Sequence, residues 1–168
     1  PDFSVARAGQ LLTAIAAANK NPHDFGDDPS DFIYDLNTNY DQNTGIYGKA
    51  DADNVIDQVW SLIGLASNNA SVPAEAADWL ASVQAEDGSW NDGFGSFLDT
   101  TPLAVMALIA SNHYDVNAPS VQSALDFIIE NQQENGGWQT LWDTTTNPNT
   151  TGVMLQAITS LGQFPSED

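Results

Sequence analysis

Gln84-Ala85-Glu86-Asp87-Gly88-Ser89-Trp90 returns 48 residues later as Gln132-Gln133-Glu134-Asn135-Gly136-Gly137-Trp138. Both stretches read Q-x-x-x-G-x-W, and Asp41-Gln42-Asn43-Thr44-Gly45-Ile46-Tyr47 is a weaker copy that keeps the glycine and replaces Trp by Tyr. A glycine at that point ends a helix by taking a left-handed conformation. The aromatic ring two residues on can then fold back over the helix end while the Gln offers its amide to exposed backbone. Gln84, Gly88, Gln132 and Gly136 are therefore expected to form a structural clasp.

Outward from the clasps the self-similarity continues, as in helical repeats. Asp99-Thr100-Thr101-Pro102-Leu103-Ala104-Val105-Met106 follows one clasp, and Asn149-Thr150-Thr151-Gly152-Val153-Met154-Leu155-Gln156 follows the next at an offset of 50. Residues 53–62 align at 46 before the first of these, and residues 5–16 at 50 before that. Apolar residues at helical spacing (Val55, Val59, Leu62, Ile63; Leu103, Met106, Ala107, Ala110; Val153, Leu155, Ile158, Leu161) make each an A-type helix. Asp53, Asp99 and Thr150 or Thr151 are placed as N-caps. Residues 72–83 and 119–131, with Pro73 and Pro119 in their first turns, read as amphipathic B-type partners. The first pair has a weaker B helix, written only as Phe32, Ile33, Tyr34 and Leu36.

The chain thus alternates helix A, a short turn, helix B and a Gly-, Asn- and Asp-rich connection of about 15 residues, long enough to be ordered or functional. The expected fold is all-α: antiparallel helix pairs, three complete plus one unpaired helix. Residues 1–168 are expected to form one domain, a fragment or module of a longer protein.

Composition limits the partners. Three Lys and Arg against 23 Asp and Glu give a formal charge of −20. With Arg7, Lys20 and Lys49 as the permanent cations, no basic patch can form, which excludes phosphate-driven nucleic-acid binding and attraction to anionic lipid. No apolar run approaches the roughly 18 residues of a membrane span, so no membrane insertion is expected. The absence of Cys removes disulfides, thiolate zinc sites and cysteine nucleophiles. Asp (18) far exceeds Glu (5), and Asn is abundant, which fits an extracellular or cell-surface setting.

The clasps and the Asp-Thr-Thr or Asn-Thr-Thr helix starts resemble the repeat shared by squalene and oxidosqualene cyclases, protein prenyltransferase beta subunits, complement-type thioester domains and cobalamin carriers. The resemblance spans nearly the whole chain. It implies an alpha-alpha toroid with A helices inside and B helices outside, here a half-toroid. Cyclases that start by protonation carry D-x-D-D-T-A, whereas the matching positions are Ser96-Phe97-Leu98-Asp99-Thr100-Thr101, with Leu98 in place of the central acid. Asp51-Ala52-Asp53-Asn54 is only a partial look-alike. Prenyltransferase zinc and thioester chemistry both need Cys. Asn21-Pro22-His23-Asp24-Phe25, Tyr40-Asp41 and Thr44-Gly45-Ile46-Tyr47-Gly48 look like the cobalamin-carrier style and related bacterial surface toroid domains, with no ligand-binding residue carried over.

Candidate ligand contacts are the aromatics of the long connections. Phe94 and Trp142, with Tyr47, Trp90 and Trp138, would offer a stacking surface edged by Asp99. No catalytic residue is assigned, no metal ligand is assigned, and His23 and His113 are isolated. No cofactor is expected; calcium is the one candidate guest, on Asp51 with Asp53 or on Asp24, Asp27 and Asp28. The expected role is a non-catalytic binding or scaffold module with an unknown protein partner or small ligand. The alternatives are a carrier of a small apolar or corrinoid-like ligand and an enzyme acting on terpenoids or polysaccharides. Self-association completing the toroid would cover the apolar faces of the A helices.

Overall fold

A computed structural model describes residues 4–25, 31–48, 55–93, 95, 97–140 and 142–162. Among the described residues there are seven helices: α1 (Val5–Ala17), α2 (Phe32–Asn37), α3 (Val55–Ser67), α4 (Ala74–Ser82), α5 (Phe97–Ala110), α6 (Pro119–Glu130) and α7 (Pro148–Ser160). Three A–B pairs followed by an unpaired A helix make the chain all-α, as the repeat predicts. A two-stranded antiparallel ribbon, β1 (Tyr40–Asp41) with β2 (Ile46–Tyr47), pairs Tyr40 with Tyr47 and forms the first clasp. None of the helices is long and apolar enough to cross a membrane.

Packing divides the chain into two compact units, Pro1–Ser82 and Val83–Asp168. In the first, α1 and α3 lie against each other so closely that a Cβ on Gly9 would collide with the Trp60 carbonyl, and one on Gly64 would crowd the Gly9 backbone. Leu12 and Ile15 from α1 and Val59, Leu62 and Leu65 from α3 are buried as a result. Asn68 ties the same two helices, its Nδ2 donating to the carbonyls of Leu12 (2.9 Å) and Gly64 (2.8 Å). In the second unit α5 packs on both α6 and α7. Ile128, Trp138 and Met154 make its apolar cluster, with Leu98 and Ile158 against the edge.

Each A helix ends alike. Asn19, Asn69 and Asn112 take φ of 53°, 55° and 60°, and Gly162 takes 71°, each two residues beyond its helix. After α1 and α3 the chain closes a Schellman-type cap, Lys20 N–H to the Ile15 carbonyl and Ala70 N–H to the Leu65 carbonyl, both at 3.0 Å. Asn tolerates this conformation because its short polar side chain can bond locally.

The helix starts lie further upstream than the caps expected from sequence. Asp99 is the third residue of α5 and not its N-cap, since the helix already opens at Phe97 and runs through Pro102. Thr150 and Thr151 lie inside α7, which is capped by Asn147, its side-chain oxygen accepting the amides of Asn149 and Thr150. Pro148 at the first position leaves no wasted donor there. The Asp53 cap falls outside the described residues.

Candidate functional site

The two full clasps share one core set of bonds. Gln84 Nε2 donates to the Gly88 carbonyl at 2.9 Å, and Gln132 Nε2 to the Gly136 carbonyl at 2.8 Å. Gly88 and Gly136 hold φ of 85° and 82°, where any other L-residue is strained. A short backbone bond closes each turn, Ala85 to Ser89 and Gln133 to Gly137. Asp87 and Asn135 each accept the amide two residues on, at Ser89 and Gly137. The Ser89 hydroxyl and amide hold the Asp87 carboxyl below the usual carboxylate range.

The aromatics of the clasps face inward. Trp90 and Trp138 are buried, and their backbone amides donate to Thr101 Oγ1 and Thr151 Oγ1, both at 3.0 Å. The second Thr of each repeated Thr-Thr pair is thus the acceptor for the preceding clasp's Trp. Trp138 Nε1 also donates to the Ile128 carbonyl at 2.7 Å, which satisfies the one polar atom of a buried indole. Tyr47 is buried too, tilted on Tyr40 at 4.7 Å with its hydroxyl donating to Asn37 Oδ1. Burial pushes its phenol above the ordinary value. Tyr47, Trp90 and Trp138 are therefore core residues of their units, not parts of an accessible stacking surface.

Asp99 and Trp142 fare differently. Asp99 Oδ1 accepts the hydroxyl of buried Thr150 at 2.7 Å, linking α5 to α7. Leu98, one residue earlier, packs on the Ile128, Trp138 and Met154 cluster. Trp142 stands 76% exposed on the connection that leads to α7. Its neighbour Asp143 is fixed by Asn147 Nδ2 and Thr140 Oγ1, each at 2.8 Å, which hold its carboxyl below the usual range. The same connection shapes a polar groove of about 460 Å³ lined by residues 133–135, Gln139 and residues 144–146. Amide and hydroxyl groups dominate it. Phe94 lies outside the described residues, as do Asp27, Asp28, Asp51 and Asp53 of the calcium sets. His23 is not isolated: its Nδ1 sits 2.9 Å from Asp31 Oδ2, an exposed pair that lowers the Asp31 carboxyl.

A second groove, about 540 Å³, borders the first clasp, lined by Asn37, Tyr40, Gln42, Ser71, Pro73 and Glu75. Sequence reading missed it because its walls come from both sides of α3. Gln58 was missed for a similar reason. Fully buried, it accepts the Tyr47 amide on Oε1 at 2.9 Å and donates from Nε2 to the carbonyls of Gly45 (2.9 Å) and Ala76 (2.7 Å).

This repeated geometry has a family. The squalene-hopene cyclase C-terminal domain family matches residues 37–156, from the end of α2 into α7. The chain belongs to the squalene-hopene cyclase C-terminal domain family. Among curated proteins it is similar to a squalene–hopene cyclase of Bradyrhizobium diazoefficiens, 35% identical over 77 residues, covering 38% of this chain. That stretch spans only 11% of the cyclase's length. No solved structure matches the chain. For this member of the squalene-hopene cyclase C-terminal domain family, the side chains of the repeat are the ones that bond clasp to helix, and Trp142 lies outside them.

Proposed function

We propose that this chain is a non-catalytic binding or scaffold module of a secreted or cell-surface protein, with the Trp142 connection as its contact surface. The observation that carries the reading is Leu98. It stands where protonating cyclases of the resembling type carry the central acid, and its side chain is spent on packing against Trp138, Ile128 and Met154. Asp99 beside it is engaged by Thr150. An exposed indole on the same connection as a groove lined by amides, hydroxyls and Glu134 suits a ligand with both a flat apolar face and hydrogen-bonding edges. The excess of acid makes the fitting partner neutral or cationic.

The test is a thermal-shift titration against oligosaccharides, cobalamin, isoprenoid diphosphates, squalene and calcium, with each organic ligand recovered and analysed after incubation. A saturable rise in melting temperature with the ligand returned intact supports a binding module. Conversion of squalene or of an oligosaccharide would overturn the non-catalytic reading. A rise with cobalamin that is unaffected by Trp142→Ala would favour a corrinoid carrier using another surface.

A further inference from the structure

Tyr40 forms one wall of the groove beside the first clasp, and the fold holds its ring from behind. Backbone pairing sets Tyr40 opposite Tyr47, and the two rings lie 4.7 Å apart. Buried Tyr47 is anchored in turn, its amide by Gln58 and its hydroxyl by Asn37. Glu75, in the first turn of α4, is pressed so closely on the clasp that a Cβ on Gly45 would collide with its carbonyl. Buried contacts thus place both the ring and the base of the acid that face the groove.

Most of what faces the groove is uncommitted. Among the described residues, the Tyr40 and Ser71 hydroxyls, the Gln42 side-chain amide and the Glu75 carboxylate make no hydrogen bond or ion pair within the protein. In the groove of the Trp142 connection, by contrast, Asn135 is bonded to Thr146 and Gln133 to the Asn131 carbonyl. Its volume of about 540 Å³ is that of a small-molecule site. Burial and the nearby carboxylates of Glu75 and Asp41 push the Tyr40 phenol up, the mark of a negative field. A primary amine, charged at neutral pH, supplies what these groups lack: a positive charge for Glu75, N–H donors for the free oxygens, and an alkyl chain to cover the Tyr40 ring and Pro73. We propose that the groove lined by Tyr40, Gln42, Ser71, Pro73 and Glu75 is a binding site for a primary alkylammonium group, its nitrogen at the Glu75 carboxylate and its chain along Tyr40 and Pro73. All of these residues belong to the first compact unit, whereas Trp142 belongs to the second.

The test titrates the whole chain with n-butylammonium chloride at constant ionic strength and follows the backbone amide resonances. Saturable shifts gathered at residues 37–42 and 71–75 are expected, with none from 1-butanol, which keeps the chain and lacks the charge. Glu75→Gln should weaken binding about fivefold, the upper end for an exposed ion pair, and leave the melting temperature unchanged because its side chain makes no bond. Glu130→Gln removes the same charge outside the groove and should leave the affinity unchanged. Repeating the titration with Nα-acetyl-lysine methylamide separates the two sources of the group: tighter binding supports a lysine side chain of a partner, and equal or weaker binding supports a free amine. Shifts that 1-butanol reproduces, or that Glu75→Gln leaves unchanged, would overturn the proposal. So would an equal loss in Glu75→Gln and Glu130→Gln, because the overall excess of acid would then be the attractant.

Discussion

Gln58 does for Gly45 what Gln84 does for Gly88. Its Nε2 donates to the Gly45 carbonyl at 2.9 Å and to a carbonyl of the next B helix, as Gln84 does, although it stands on α3 and not at the head of the clasp. It also stands eleven residues past Tyr47, the spacing of Thr101 past Trp90, and accepts the aromatic residue's amide as Thr101 does. One side chain fills two roles that the second clasp divides between two residues.

Removing it should therefore be costly. Gln58→Leu leaves the Tyr47 amide and two carbonyls without their partner in a buried site, and about 3 kcal/mol of stability should be lost. Gln132→Leu, at an exposed clasp with one such bond, should cost less than about 1 kcal/mol. Urea denaturation of the two variants beside the parent measures both, and equal losses would contradict the assignment.

The glycines offer a paired comparison. Gly88→Ala and Gly136→Ala both place a Cβ at a positive φ near the same value, a strain of about 1–2 kcal/mol. Only at Gly88 does the new methyl also meet the Ser123 carbonyl. Gly88→Ala should be the more destabilising by at least about 1 kcal/mol, read as the difference in urea midpoint at constant slope.

Trp142→Ala should leave stability within about 0.5 kcal/mol of the parent, since the side chain is 76% exposed. If the connection is the contact surface, the same change should abolish the saturable thermal shift of whichever ligand produces one. Retained binding would move the contact surface elsewhere.

Alkali should unfold the chain through Tyr47. Its folded pKa is raised above the unfolded value of about 10 by burial, so its contribution is fully present below pH 10 and is lost as pH rises towards the folded pKa. Tyr47→Phe should start from a slightly lower stability, having lost the bond to Asn37, and fall less steeply above pH 10. Melting temperatures between pH 8 and about 11.5 would show the difference in slope.

Acid acts with the opposite sign. Asp87 and Asp143 have folded pKa values below their unfolded values, so their contribution is present above about pH 4 and lost as pH falls through the folded values. Asp87→Asn and Asp143→Asn should each flatten the acid limb of a stability–pH curve and leave the limb above pH 8 unchanged.

Much of this was written plainly in the sequence. Gln84, Gly88 and Trp90 are close enough in the chain for their bonds to be local, and Pro119 marks its helix start because the first position wastes no donor. The starts of α5 and α7 were harder to place. Pro102 and the Thr-Thr pairs resemble first-turn residues, yet Pro102 lies well inside α5, and the Thr hydroxyls serve partners in the clasps and in the neighbouring helix. Of the two readings the sequence allows for Trp90 and Trp138, clasp ring and stacking surface, burial favours the first, because the amide partners that draw them inward lie eleven and thirteen residues away. Trp142, whose amide also donates to a threonine hydroxyl, that of Thr140, is nonetheless exposed. Gln58 carries no local signal, since all of its partners are ten or more residues away. A readable signal that was overlooked is the asparagine two residues past each of the first three A helices.

Those asparagines, with Gly162, give every A helix its own stop. Helix length is then metered from within the repeat, independently of what the following turn or the later connection contains. Residues 139–142, upstream of the Asp143–Asn147 pair that opens α7, can accordingly be rewritten or lengthened without shifting the register of α5 against α7. A frame with that property lets the exposed connection change its chemistry while the helices beneath it stay in place.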